Sequence, residues 1–121
     1  MKHKVTQEQY EILMKAAKAL DEQGVRSADE FGNCFYRGPS GTKCFIGHII
    51  SDEKYKKYME ARGSISLMNT FKGAIEGFEI SEGRLLSVLQ AYHDTACLWE
   101  SHRKTNPNAM QDYVKRIVEV V

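Results

Sequence analysis

The chain is poor in proline, with only Pro39 and Pro107 in 121 residues, so little of it is forced away from regular structure. No apolar run approaches the roughly 18 residues that a membrane span requires. The opening Met1-Lys2-His3-Lys4-Val5 is basic but leads straight into Thr6-Gln7-Glu8-Gln9 with no apolar stretch, so no secretory signal is expected and the cytoplasm is the expected compartment. Cysteine is scarce and odd in number. Without an export signal Cys34, Cys44 and Cys97 are expected to stay reduced, so no disulfide framework is expected. Charge of one sign is lacking as well. Seventeen basic against sixteen acidic residues give +1, which excludes a strongly basic nucleic-acid coat and an acidic mimic of DNA. Fixed-period repeats, low-complexity tracts and linkers are missing too, so one domain over residues 1–121 is expected.

What is present is an ordinary globular composition, 42% hydrophobic and 27% charged, in a chain long enough to bury about two-thirds of its unfolded surface. Thr6-Gln7-Glu8-Gln9 is a capping box, and Tyr10, Leu13, Met14, Ala17 and Leu20 follow at the spacing of one buried helical stripe, with Gly24 placed to end it. Ser51-Asp52-Glu53 predicts a second helix to about Arg62, burying Tyr55, Tyr58 and Met59 and showing Lys54, Lys56 and Lys57 to solvent. A glycine-weakened helix is expected near 66–77, carrying Leu67, Met68, Phe71, Ala74, Ile75 and Phe78. Ser81 predicts the cap of a longer helix holding Leu85, Leu86, Leu89, Tyr92, Ala96 and Trp99 and ending between His102 and Thr105. Asn106 and Pro107 open the last one, whose stripe of Met110, Tyr113, Val114, Ile117, Val118 and Val121 reaches the final residue. Such a stripe predicts either a docked C-terminus or a homodimer seam.

Cys34 to Ile50 differs in kind. It is rich in aromatic and β-branched residues and is broken once by Gly38-Pro39-Ser40-Gly41, which predicts a β-hairpin with Gly41 left-handed. With Gly38 opposite Thr42, Arg37 pairs with Lys43, Tyr36 with Cys44, Phe35 with Phe45 and Cys34 with Ile46. One face then carries Cys34, Tyr36, Cys44, Ile46, His48 and Ile50, and the other Phe35, Arg37, Lys43, Phe45 and Ile49. The fold class expected is mostly helical α+β, one hairpin at about 34–50 packed against about five helices.

The run Gly32-Asn33-Cys34-Phe35-Tyr36-Arg37-Gly38-Pro39-Ser40-Gly41-Thr42-Lys43-Cys44-Phe45-Ile46-Gly47, followed by Ile50, Asp52, Tyr55 and Met59-Glu60, resembles small proteins encoded by bacteriophages and prophages. Those proteins share a Cys-x-Tyr-Arg-x-x-x-Gly-x-x-Cys-x-x-Gly signature, an Ile-x-Asp-x-x-Tyr continuation, and a later Leu-Gln-x-x-His-Asp with a downstream Trp. Here the later element is Leu89-Gln90-Ala91-Tyr92-His93-Asp94 with Trp99. The resemblance spans residues 32 to 99. It implies a phage or prophage origin and a shared fold unit, not a reaction.

Three chemistries can be read onto these residues. Cys34, Cys44, His48, His93 and Cys97 are soft or imidazole ligands that could converge on zinc, but paired Cys-x-x-Cys knuckles are absent. Cys44, His93 and Asp94 hold the parts of a cysteine hydrolase, yet adjacent helical residues point about 100° apart, so Asp94 is expected to be badly placed to orient His93. Arg37 and Lys43 are like charges across the hairpin and need a neutralising group, either Asp52, Glu53 or Glu60 within the chain or a bound phosphate or acidic protein surface. The expected binding residues are Phe35, Arg37, Lys43 and Phe45 on one hairpin face, with Gly41 at the turn, Tyr36 and His93. The reading is thus a binding protein of the host cytoplasm, with no cofactor and no membrane or nucleic-acid partner. It would block or sequester a host defence protein or a phosphate-containing signal molecule, the hydrolase and a structural zinc domain being the alternatives.

Overall fold

A computed structural model of the chain describes residues 2–60, 62–71, 73, 75–95 and 98–121. The capping box closes as the spacing predicts: Thr6 Oγ1 accepts from the Gln9 amide at 3.1 Å and Gln9 Oε1 from the Thr6 amide at 3.0 Å. Helix α1 then runs Gln7–Gln23 and ends at left-handed Gly24, with Leu13, Ala16, Ala17 and Leu20 buried. The remaining helices among the described residues are α2 (Phe45–Ile49), α3 (Ser64–Thr70), α4 (Gly83–Asp94), α5 (Trp99–Arg103) and α6 (Ala109–Ile117). Two three-residue strands, β1 (His3–Val5) and β2 (Val118–Val120), pair in parallel and bring the two ends of the chain together. Mostly helical α+β is the architecture. No helix among the described residues is long and apolar enough to cross a membrane.

One core joins these elements. Helix α1 packs on α2 and α6, and α4 on α2, α3 and α5. Trp99, Phe45, Leu13, Leu20, Leu86, Leu89 and Met110 are among its fully buried side chains. Burying apolar side chains of this size contributes about 1.5 to 3 kcal/mol each.

The hairpin forms only at its tip. Gly38 N donates to Thr42 O at 2.8 Å, Gly41 is left-handed at φ 78°, and Arg37 bridges Lys43, all in the expected register. The ladder goes no further. Cys44 starts α2 instead, its sulfur accepting from the Gly47 amide at 3.3 Å, so Tyr36–Cys44, Phe35–Phe45 and Cys34–Ile46 are not strand pairs. Gly47 shows why the chain turns inward: a Cβ built there would lie 2.1 Å from Tyr36 O, so this helix presses its backbone onto the preceding segment. Phe45 and Ile46 thereby enter the core rather than opposite sheet faces.

Other expectations need correction. Ser51 accepts from the Lys54 and Tyr55 amides, making one turn, but no α-helix follows and only a 3-10 turn forms at Lys57–Met59. Tyr58 is 66% exposed, not buried. The helix expected at 66–77 ends at Thr70, and Ala74 lies outside the described residues. The long helix from Ser81 stops at Asp94, where the Thr95 hydroxyl donates back to Ala91 O at 2.7 Å, and Trp99 opens a separate one. Ala96 also lies outside the described residues. The C-terminal stripe docks in cis, with Val118 buried in β2, although Val121 is 74% exposed.

Asp21 had no place in the sequence reading, yet it joins three helices. Its buried carboxylate accepts from Trp99 Nε1 at 3.3 Å, the Met110 amide at 3.0 Å, the Gln111 amide at 3.1 Å and Gln111 Nε2 at 3.0 Å. It therefore caps the first turn of α6 from a neighbouring helix, while Asn106, the expected cap, accepts from the Asn108 amide at 2.9 Å just before that turn. Arg103 returns the favour at the C-terminal end of α1, donating to Asp21 O at 2.7 Å and Gly24 O at 3.1 Å.

Candidate binding groove

The residues proposed as a binding face divide between core and surface. Phe45 and His93 are fully buried, and Tyr36 is buried with its hydroxyl donating to Arg62 O. Arg37, Lys43 and Phe35 are partly exposed, and Gly41 is exposed at the turn. They do not form one flat sheet surface.

Arg37 is engaged within the chain. Its guanidinium donates to Gly47 O, to Ile50 O at 2.9 Å and to Asp52 at 3.0 Å, so it satisfies the orphan carbonyls at the C-terminal end of α2. Its plane also lies 4.8 Å from the Tyr55 ring centroid. Lys43 Nζ sits 3.8 Å from the same Asp52 carboxylate. The neutralising group is therefore Asp52. At 84% exposure it provides weak, screened attraction, and the carbonyl oxygens hold Arg37 more firmly. Glu60, another expected partner, serves the backbone instead: it accepts from the Tyr36 amide at 2.8 Å, the Arg37 amide at 3.0 Å and the Tyr55 hydroxyl at 2.5 Å.

The later motif is a clamp. Gln90 Oε1 accepts from the Ile46 amide at 2.9 Å, while its Nε2 donates to Asp94 Oδ1 at 2.9 Å. His93 Nε2 accepts from the Ser27 amide at 3.2 Å, which puts the ring proton on Nδ1, 2.7 Å from Asp94 Oδ1. Asp94 thus does orient His93, contrary to the helical-wheel argument, because the carboxylate sits at the end of α4 and can fold back. The ring stacks on Trp99 at 5.3 Å. Both nitrogens are occupied, and Ser27 O in turn receives the Phe35 amide at 2.9 Å, so the histidine locks α4 to the segment before the turn.

The thiols and His48 do not assemble into a reactive or metal-binding group. Burial pushes the Cys44 thiol up to about 12, far from a thiolate at neutral pH. Cys34 is half-buried beside Arg26, its thiol also raised by burial. His48 bonds Gln23 Oε1 at 3.1 Å and is held down to about 4, mainly by burial and then by the Lys43 and Arg37 charges. Cys97 lies outside the described residues. Among the described residues no group of three or more histidine, cysteine or acidic side chains is placed to hold a metal.

What the turn does build is a groove of about 380 Å³ lined by Phe35, Arg37, Gly38, Pro39, Tyr55, Lys57 and Glu60. Its walls are aromatic and proline surface. Arg37 and Glu60 are tied down by the bonds above, which leaves Lys57 as the cation at the rim without an ion-pair partner among the described residues. Tyr55 and Lys57 were assigned to a helix by sequence reasoning and so missed as groove residues; the Ile-x-Asp-x-x-Tyr spacing was the signal that could have found Tyr55. No family model, curated protein or solved structure matches the chain.

Proposed function

We propose that the chain is a phage- or prophage-encoded binding protein that acts in the host cytoplasm by blocking or sequestering a host component through this groove. The observation that carries the reading is the lining itself: Phe35, Pro39 and Tyr55 offer rigid apolar surface, and Lys57 offers at the edge one positive charge with no ion-pair partner among the described residues. A host protein segment presenting an aromatic or aliphatic side chain beside a carboxylate fits that chemistry. A phosphate-containing signal fits less well, because Arg37 already spends its donors on Gly47, Ile50 and Asp52. Catalysis is disfavoured by the sealed Cys44 thiol and by the engagement of both His93 nitrogens.

The test compares the wild-type chain with Lys57→Glu as bait in bacterial lysate, and in parallel measures thermal shifts with a panel of cyclic and linear nucleotides. A host protein retained by the wild type and lost by Lys57→Glu, with no nucleotide shift, is the expected result. Equal retention by both baits contradicts the groove, and a nucleotide shift abolished by Lys57→Glu moves the reading to the signal molecule.

A further inference from the structure

The sharpest exposed hydrophobic feature lies at the tip of a loop rather than in a groove. Between the Ala28–Cys34 bridge the chain makes a tight loop around the Asp29 carboxylate. Asp29 Oδ1 accepts from the Phe31 and Asn33 amides, both at 2.9 Å, and Oδ2 from Asn33 Nδ2 at 3.1 Å. The main chain closes the same loop, Asp29 N donating to Asn33 O at 2.9 Å and Gly32 N to Asp29 O at 3.0 Å. Phe31 stands on this rigid frame 81% exposed. Nothing in the folding of one copy accounts for an ordered loop that presents an aromatic ring to water, whereas a preorganised aromatic anchor suits an interface.

The loop and the groove are chemically complementary. Phe31 is flanked by Asp29, whose carboxyl the Asn33 amide holds below the usual range, and by exposed Glu30. The groove is walled by Phe35, Pro39 and Tyr55, with Lys57 at its edge and the Glu60 carboxylate turned to the Tyr36 and Arg37 amides. An apolar tip with an acidic collar meets an apolar cleft with a basic edge. Both lie in one stretch of chain, from Asp29 to Pro39 with Tyr55 and Lys57 against it, so each copy carries both halves of the contact. Resting on the groove reading above, we propose that in the absence of a host partner the groove is filled by the Phe31 loop of a second copy of this chain. The two copies exchange loops about a two-fold axis. Each inserted ring buries roughly 150 to 250 Å². Two rings and their facing walls come to roughly 600 to 1,000 Å², at or below the roughly 1,000 Å² that a stable specific interface needs. The dimer is accordingly weak and concentration-dependent, and a host segment can displace it.

Sedimentation equilibrium of the full chain from low micromolar to millimolar concentration tests this. The expected mass rises from 13.8 kDa toward twice that value. Phe31→Ser, at a site too exposed to affect folding, weakens association at least about tenfold. Glu30→Lys and Lys57→Glu each weaken it, and the double variant recovers most of the loss. A mass that stays at one copy throughout, or a dimer indifferent to Phe31→Ser, overturns the pairing. The groove reading has its own readout, because host capture lost in Lys57→Glu from a strictly monomeric protein would keep the groove and discard the exchange.

Discussion

The helical framework of α1, α4 and α6 and the largely irregular stretch from Gly24 to Glu60, with only the short α2 and 3-10 turns in it, face the same requirement, a partner for every buried backbone donor and acceptor, and meet it differently. The framework satisfies most of its groups within its own helices and needs help only at the ends, from Thr6, Asp21 and Arg103. The irregular stretch has almost no ladder. Its amides and carbonyls are taken up by side chains from outside it, Gln23 on Lys43 and Gln90 on Ile46, and from distant positions within it, Glu60 on Tyr36 and Arg37 and Arg37 on Gly47 and Ile50. A surface built this way is shaped by a few polar side chains, and two of them, Arg37 and Glu60, also line the groove.

The comparison can be broken first at the framework's junction. Asp21→Ala leaves four donors without their acceptor in a buried site and should destabilise by about 3 to 5 kcal/mol in urea unfolding. A loss below about 1 kcal/mol would mean that α6 caps itself. Gly47→Ala sharpens the contrast from the other side. In an isolated helix it would gain about 0.5 to 1 kcal/mol of propensity, yet here the added Cβ meets Tyr36 O, so a net loss of about 2 to 3 kcal/mol is expected. A stabilised variant would show that α2 does not press on the turn.

A smaller effect is electrostatic. The folded His48 pKa, about 4, lies below its unfolded value, so the native state binds fewer protons between about pH 6.5 and 4. This contribution to stability is fully present above about pH 6.5 and is lost as the pH falls toward 4. The stability of His48→Gln should therefore fall less over that window, as read from urea midpoints. Matching slopes would show that the ring is solvated. Smallest of all, Ser40 is left-handed at φ 59°, so Ser40→Gly should stabilise by roughly 0.5 to 1 kcal/mol in thermal unfolding. A loss there would indicate that the Ser40 hydroxyl does more for the turn than its backbone strain costs.

The framework was legible because local signals sufficed: the Thr6 capping box, the α1 and α6 stripes and Leu85, Leu86 and Leu89 on α4 all specify helix from neighbours a turn away. The register of the turn was legible for the same reason, down to Arg37 facing Lys43, but its left-handed Ser40 was not, since a type I turn was expected there. What followed was not. Ile46, Ile49 and Ile50 read as strand residues, while the decisive terms, Gln90 accepting from Ile46 and Gly47 meeting Tyr36, join positions far apart in sequence. Of the candidate site, Phe35 and Arg37 line the groove. Phe45 and His93 went to the core because a hairpin face and a helix end assign side-chain direction differently.

Amide hydrogen exchange of Tyr36 and Arg37 in the wild type and in Glu60→Ala tests most directly whether remote side chains, rather than strand pairing, hold this segment. Removal of the carboxylate should destabilise by about 2 to 3 kcal/mol and lower protection at those two amides roughly tenfold beyond any loss in α1. Undiminished protection at Tyr36 and Arg37 in the variant, accompanied by cross-strand contacts between Cys34 and Ile46, would contradict it.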